Sequence, residues 1–366
     1  MAYTTIDDPT KYFDVTLWTG TGGARTISGL NHKPDLIWTK TRSVAYNHMW
    51  SDSSRGFNAN SEIGSNSNAA EGGLSADVYG YKSGHTSDGW TMVDGTDTVD
   101  GQEDGNTNQP SVTYVGWTWA ANGGSVTTVS ESGNNPGHTR QTSTISGFSI
   151  IKYTGTGAVG TIAHGLGIVP NLIILKRLEN ADNWRTYDSI GGGTKSMRLN
   201  LTGGHGTSSS FFNDTDATSS VFTVGTNSEM NGDGETYIAY VFGSIQGYSK
   251  IGSYKGNGNT DGAFVYTGFK PAWIMFKRTD DVSQWNIIDN KRPTYGNANP
   301  NGVIIKANAS SAEETNNSAT VVDMLSNGFK HRNTEGNYNG SGASYIYMAF
   351  AEHPFVSSEG VPTTAK

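Results

Sequence analysis

The sequence predicts an all-β protein built as three tandem, homologous β-sandwich domains of jelly-roll or concanavalin-like type. Three observations carry that reading. Gly supplies 48 of 366 residues, aromatic residues 11% and charged residues only 16%, against about 25% charged in an average globular chain. One ordered set of landmarks recurs three times along the chain, the signature of a repeat architecture. The apolar runs are of strand length and are bounded by Gly, Pro, Asn and Asp.

The first landmark is a strand ending in an aromatic residue, followed by a spaced glycine pair. It runs Phe13 to Trp18 with Gly20 and Gly22, Phe148 to Tyr153 with Gly155 and Gly157, and Ser249 to Tyr254 with Gly256 and Gly258. The glycine pairs suit turns that need positive φ. The second landmark is a Pro leading an apolar run that ends in Lys: Pro34 to Lys40, Pro170 to Lys176, and Pro271 to Lys277. The spacing from the aromatic to this Pro is 16, 17 and 17 residues. Leu172-Ile173-Ile174-Leu175 is apolar on both faces, which predicts a central strand buried both ways. A Pro at the first position is allowed there, because that residue need not donate to the ladder.

The third landmark is an Asp 18 residues after each Pro: Asp52, Asp188 and Asp289, with His48, Trp184 and Trp285 four residues earlier. One Asp per repeat, each with different neighbours, predicts turn capping. The fourth is a late aromatic strand, at Tyr114 to Trp119, Tyr237 to Phe242 and Tyr345 to Phe350. Val115, Trp117 and Trp119 share one face while Gly116 lies on the other, which predicts a half-buried strand. From the Pro to the late Tyr the distance varies, at 80, 67 and 74 residues, as loop insertions on a fixed scaffold do.

These landmarks divide the chain into an N-terminal arm (1–11), sandwiches at 12–121, 147–244 and 245–356, a polar linker (122–146) and a loosely held tail (357–366). The best helical candidate, 310–314, is about one turn long.

Several function classes drop out. The chain has no cysteine, which removes thiolate metal sites and thiol catalysis. Net charge is −8, so the basic footprint of a nucleic-acid binder is missing. No apolar run approaches the roughly 20 residues of a membrane helix, and the opening lacks a signal-peptide pattern. Gly155 to Gly160 matches G-x-G-x-x-G, but the residues after it do not read as the helix a dinucleotide site needs. No nucleophile elbow or zinc-protease motif is present, and the histidines are scattered. The reading is of a protein that is not an enzyme and needs no cofactor.

Two sets of candidate binding residues remain. Tyr79, Tyr81, Trp90, Tyr295 and Tyr338 lie in Gly- and Asn-rich stretches. Aromatic faces beside amides suit sugar rings, whose C–H faces stack while hydroxyls find donors and acceptors. The plainer reading is that they cover the ends of each sandwich. Asp94, Asp97, Asp100, Glu103 and Asp104 form the densest acidic stretch. They offer oxygen ligands for calcium without the EF-hand spacing, and the plainer reading is a solvated loop.

The opening MAYTTIDDPTKYFDVTLWTGTGG, the run around Pro34 to Lys40 and the ending YIYMAFAEHPFVSSEGVPTTAK resemble virion structural proteins of tailed bacteriophages. These are common among marine and cyanobacterial phages and are tail-fibre-like. The resemblance covers all three repeats and transfers no catalytic residue. It implies a β-rich virion component, made in the host cytoplasm and exposed on tail or capsid. Its partners would be other virion proteins and a host surface glycan or protein receptor, with a homotrimer expected by analogy with fibres and no insertion into a membrane. The leading expectation is a tail fibre or receptor-binding protein. A capsid decoration or head-fibre protein is the alternative, and a polysaccharide depolymerase a minor one.

Overall fold

Strands form where the landmarks place them. The computed structural model describes residues 3–98, 104–292, 299, 301–315 and 322–362. The first third holds β1 (Phe13–Thr19), β2 (Arg25–Ile27), β3 (Leu36–Thr41), β4 (Met49–Asp52), β5 (Tyr81–Thr86), β6 (Gly89–Val93) and β7 (Thr113–Trp119). The middle third holds β8 (Thr127–Val129), β9 (His138–Ser143), β10 (Phe148–Thr154), β11 (Gly160–Ala163), β12 (Leu172–Arg177), β13 (Arg185–Asp188), β14 (Lys195–Arg198), β15 (Gly206–Thr207), β16 (Val221–Val224) and β17 (Thr236–Phe242). The last third holds β18 (Ser249–Lys255), β19 (Phe264–Tyr266), β20 (Phe269–Arg278), β21 (Asn286–Asp289), β22 (Ile305–Lys306), β23 (Val322–Leu325), β24 (Gly328–His331) and β25 (Ser344–Pro354).

The protein is all-β, with antiparallel sheets. The α-helices among the described residues are single turns, at Ala76–Tyr79, Ser209–Phe212 and Ser228–Asn231. The stretch 310–314 is not one of them: Glu314 bridges to Ile304 as extended chain.

One strand order recurs. The large sheets run β1-β7-β3-β4, β10-β17-β12-β13 and β18-β25-β20-β21, and each third adds a small sheet, β2-β6-β5, β11-β16 or β19-β24-β23. The register recurs too: Trp18 pairs with Tyr114, Tyr153 with Tyr237 and Tyr254 with Tyr345. Each of these pairs stacks, with interplanar angles of 5°, 17° and 8°, an offset arrangement the ring quadrupoles favour.

The glycine pairs act by two mechanisms. A Cβ on Gly20, Gly155 or Gly256 would fall 1.9, 2.3 or 2.3 Å from a carbonyl oxygen. Gly22, Gly157 and Gly258 have φ of 81°, 69° and 64°, a region that penalises a side chain. A buried Asn clamps each turn. Asn108, Asn231 and Asn339 donate to the carbonyls of Gly22, Ala158 and Asn259 at 3.0, 2.6 and 2.8 Å.

Each third has a core cluster of its own, and the three also share one. One central cluster draws Trp38, Trp50, Trp117 and Trp119 from the first, Ile150, Ile174, Trp184 and Tyr240 from the middle, and Trp273, Met275, Trp285 and Met348 from the last. Alternate residues of the same large sheets face outward onto each third's small sheet: Ile37 and Tyr114, Ile173 and Val241, Ile274 and Tyr347. Each large sheet is therefore a middle layer, buried on both faces. All 9 tryptophans are buried, each contributing roughly 2–3 kcal/mol of hydrophobic stabilisation.

This corrects the half-buried reading of the late strands. Gly116 is small because Trp90 packs over it, 3.0 Å from where a Cβ would sit, and not because that face meets water. It also corrects the linker. Within 122–146, β9 pairs with β10 and β8 pairs with β9, extending the middle sheet. The arm is held as well. Ile6 is 3% exposed, Thr4 Oγ1 donates to the Gln246 carbonyl at 2.9 Å, and Asp7 accepts from the Ser358 backbone at 2.7 Å. The start of the tail is thereby fixed, which its polar sequence does not signal.

Candidate functional site

Each repeated Asp caps the turn after its strand, as expected. Asp52 Oδ1 accepts from the N–H groups of Ser54 and Arg55 at 2.9 and 3.0 Å. Asp289 Oδ1 accepts from Lys291 and Arg292, both at 3.1 Å, and Asp188 Oδ1 from Gly191 at 2.8 Å. The second oxygen reaches across a junction. Tyr240 Oη donates to Asp52 Oδ2 at 2.7 Å, and Trp117 Nε1 donates to Asp289 Oδ2 at 3.0 Å. Arg55 and Arg292 pair with these carboxylates at 2.5 and 2.6 Å and then with Glu71 and Glu313. All of these Asp and Arg side chains are fully buried.

The residues four positions before each Asp also cross. His48 Nε2 contacts the Lys306 carbonyl at 3.0 Å, Trp184 Nε1 donates to Gly64 O at 2.9 Å, and Trp285 Nε1 donates to Arg198 O at 2.9 Å. Trp38 Nε1 donates to His48 Nδ1 at 2.7 Å, so Nε2 carries the proton. Burial, followed by the Lys40 charge, holds His48 well below its usual range. These contacts run in one rotational sense: middle to first, first to last, last to middle. The three thirds form a closed ring.

A cleft of about 510 Å³ opens where the first third meets the last. The β3–β4 loop places Tyr46 and Asn47 on one wall. The insertion after β4 brings Ser67, Leu74 and Ser75, the single turn Ala76–Tyr79 brings Tyr79, and Ser310 comes from the last third. Leu74 forms a floor packed with Met49 and Ala76. Ser75 sits at φ 52°, a left-handed conformation that non-glycine residues seldom adopt. Tyr46 Oη donates to Gln109 Oε1 at 3.0 Å, and Asn47 Oδ1 accepts from Asn66 at 2.8 Å. Tyr79 Oη and the hydroxyls of Ser75 and Ser310 have no hydrogen-bond partner among the described residues. The described lining holds no carboxylate, imidazole or amine. It offers aromatic faces, amides and hydroxyls, which suit binding of a neutral polyol without acid–base chemistry.

Of the aromatic candidates, Tyr79 lies in this cleft. Tyr81 is half-buried against Met49 and Ala76. Trp90 is a correction: it is 0% exposed, edge-on to Trp18 at 5.8 Å, because β6 turns it inward. Tyr338 is another. It is 3% exposed and edge-on to Phe276 at 5.4 Å, so its ring presents no face to a sugar. Tyr295 lies outside the described residues.

Among the described residues the acidic stretch does not assemble a cage. Asp100 and Glu103 lie outside the described residues. Asp94 is exposed and Asp97 half-buried. Asp104 is buried and accepts from Gly23 N at 3.0 Å, so it serves a turn. Among the described residues no three His, Asp or Glu side chains converge as metal ligands do. Tyr46 was findable by the criterion that singles out Tyr79, an aromatic in a polar loop. Ser310 carries no such signal, since only ring closure brings it near.

The domain family DUF7483, described as a domain of unknown function, matches residues 8–354. The chain belongs to that family. A comparison with curated proteins finds no match. The DUF7483 match begins just before β1 and ends with β25. The family's unit is thus the whole ring and not one of its thirds, as the shared core requires.

Proposed function

We propose that this DUF7483 protein is a structural component of a tailed-phage particle that contacts host surface glycans. The observation that supports it is the Tyr46–Tyr79 cleft, rimmed by polar side chains on a rigid aromatic-cored body. Weak sugar contacts of this kind gain strength when many copies sit on one particle. The test is binding of the purified chain to host cells and to a glycan panel. Tyr79→Ala is expected to weaken binding about tenfold, the cost of losing one stacking face and its hydroxyl. Unchanged binding by that variant would remove the cleft from the proposal. Gold-labelled antibody at tail tips would agree with adsorption.

A second reading is a capsid decoration protein, favoured by the ring itself. A chain that closes a threefold arrangement alone is suited to seat on a threefold position of a shell. Gold over heads and a monomeric mass in solution would favour decoration. A trimeric mass would favour the fibre.

A further inference from the structure

We infer that the cleft between the middle and last thirds is a second binding site, for a carboxylate-bearing sugar, with Arg198 as the partner of the carboxylate. The cleft holds about 530 Å³ and is lined by Arg185, Arg198, Leu201, Thr207 and Phe211 of the middle third and Val282 of the last. It shares no lining residue with the Tyr79 cleft, so the inference does not rest on the reading above.

Arg185 and Arg198 are direct cross-strand partners on β13 and β14, which places both side chains on one face. Arg185 is committed. It pairs with Glu229 and lies over the Phe211 ring, 3.6 Å from its centroid. Arg198 is not committed. Its guanidinium makes no hydrogen bond or ion pair among the described residues, and its Nε is buried without a partner. Every other arginine of the chain donates from its guanidinium to an oxygen.

A buried N–H of a charged group is costly when left unanswered. Arg185 is answered by Glu229 and Arg198 by no carboxylate among the described residues, while Asp182, which also acts on Arg185, is itself paired with Arg177, so the floor of the cleft keeps a surplus positive charge. Burial, together with the Arg198 charge, lowers the proton affinity of Arg185 against the pull of Glu229. The Arg fork matches a planar carboxylate.

The rim argues for a sugar and not a bare ion. Leu201 and Val282 stand 42% and 67% exposed on opposite thirds, giving the cleft two apolar walls for the C–H face of a pyranose. Thr207 Oγ1 has no partner among the described residues and supplies a hydroxyl contact.

The test is calorimetric titration of the full chain with galacturonate, glucuronate and N-acetylneuraminate, with galactose as the neutral control. The acidic sugars are expected to bind at this cleft and galactose not to displace them, the Tyr79 cleft being the one suited to a neutral sugar. Arg198→Met is expected to lower affinity about tenfold or more by removing the charge-assisted bonds. Leu201→Asp, at an exposed position, is expected to do the same by repulsion. Arg198→Lys should keep part of the affinity. Melting curves of each variant exclude loss through unfolding. Displacement of the acidic sugar by galactose, no binding of any acidic sugar, or full affinity in Arg198→Met would overturn the inference. Displacement of the sugar by sulfate or phosphate at matched ionic strength would reduce the site to a simple anion pocket and overturn the sugar assignment.

Discussion

Where the middle third meets the first, Tyr240 donates to Asp52, Arg55 clamps the same carboxylate, and Glu71 closes the far side of the guanidinium. Where the last third meets the middle, Met348 stands at the position of Tyr240, Gly191 at that of Arg55 and His205 at that of Glu71. His205 Nε2 contacts Asp188 Oδ2 directly at 2.7 Å, in space that a Cβ on residue 191 would crowd, 2.9 Å from that nitrogen. The backbone is indifferent to the exchange. Glu71 N donates to Leu178 O and His205 N to Thr279 O, both at 2.8 Å. The main-chain framework sets the junction. The side chains are free to change as long as the buried aspartate is answered.

The largest loss of stability follows from leaving that aspartate unanswered. Arg55→Met or Arg292→Met is expected to cost about 3–5 kcal/mol, since each strands a buried carboxylate. Denaturant melts that show less than about 1 kcal/mol would mean the clamp is dispensable. A milder cut is Tyr240→Phe, which removes one donor to a charged acceptor and should cost about 1.5–3 kcal/mol. Its counterpart Met348→Leu has no donor to lose and should cost under about 1.5 kcal/mol.

Proton linkage sharpens the contrast further. Lys277 is buried, donates to Thr202 O across the junction at 3.0 Å, and is pushed down to about 8. Lys40 is pushed down to about 7 while donating to Thr41 O, within its own third. Burial is the main cause for both. An unfolded lysine holds its proton to about pH 10.4, so between those values the unfolded chain binds more protons and stability rises with pH. The slope is at most about 1.4 kcal/mol per pH unit for each lysine. Melts from pH 7 to 9.5 should show the rise, and Lys277→Met should flatten its upper part. An unaltered slope in that variant would assign the effect elsewhere. The smallest expected change is His205→Asn, which keeps a donor for Asp188 and should cost about 1 kcal/mol or less. A cost equal to that of Arg55→Met would show that His205 answers Asp188 as fully as the arginine answers Asp52.

Much of the fold was legible because it is local. The Pro-led strands, the glycine turns and the capping aspartates each have neighbours within a few residues, and all stand where the spacing puts them. The ring was not legible. Tyr240 and Asp52 are 188 residues apart, and nothing in either segment names the other. The clamping Asn lies 6 residues before each late Tyr, a regular spacing hidden behind the variable loops that precede it. Trp90 and Tyr338 misled for a single reason. Gly- and Asn-rich flanks signal exposed turns, but Trp90 stands on β6 with its side chain turned inward and Tyr338 packs on Phe276. Of the cleft, Tyr79 was visible and Ser310 was not, because the cleft exists only where distant thirds touch.

The meeting of Asp7 with Ser358 has a consequence for connectivity. Bonds that join the opening segment to the far end hold the polypeptide as a loop, so the place where it is cut matters little to the finished structure. A circular permutant that links residue 7 to residue 358 through a short spacer and opens between β8 and β9 keeps every large-sheet pairing. During synthesis the order matters more. The first third leaves the ribosome with Trp38, Trp117 and Trp119 packed on one another but still lacking Trp273, so the shared core is completed only when the last third arrives. Closure of the shared core is therefore expected to come late, and a truncated chain that leaves it open is a candidate for aggregation.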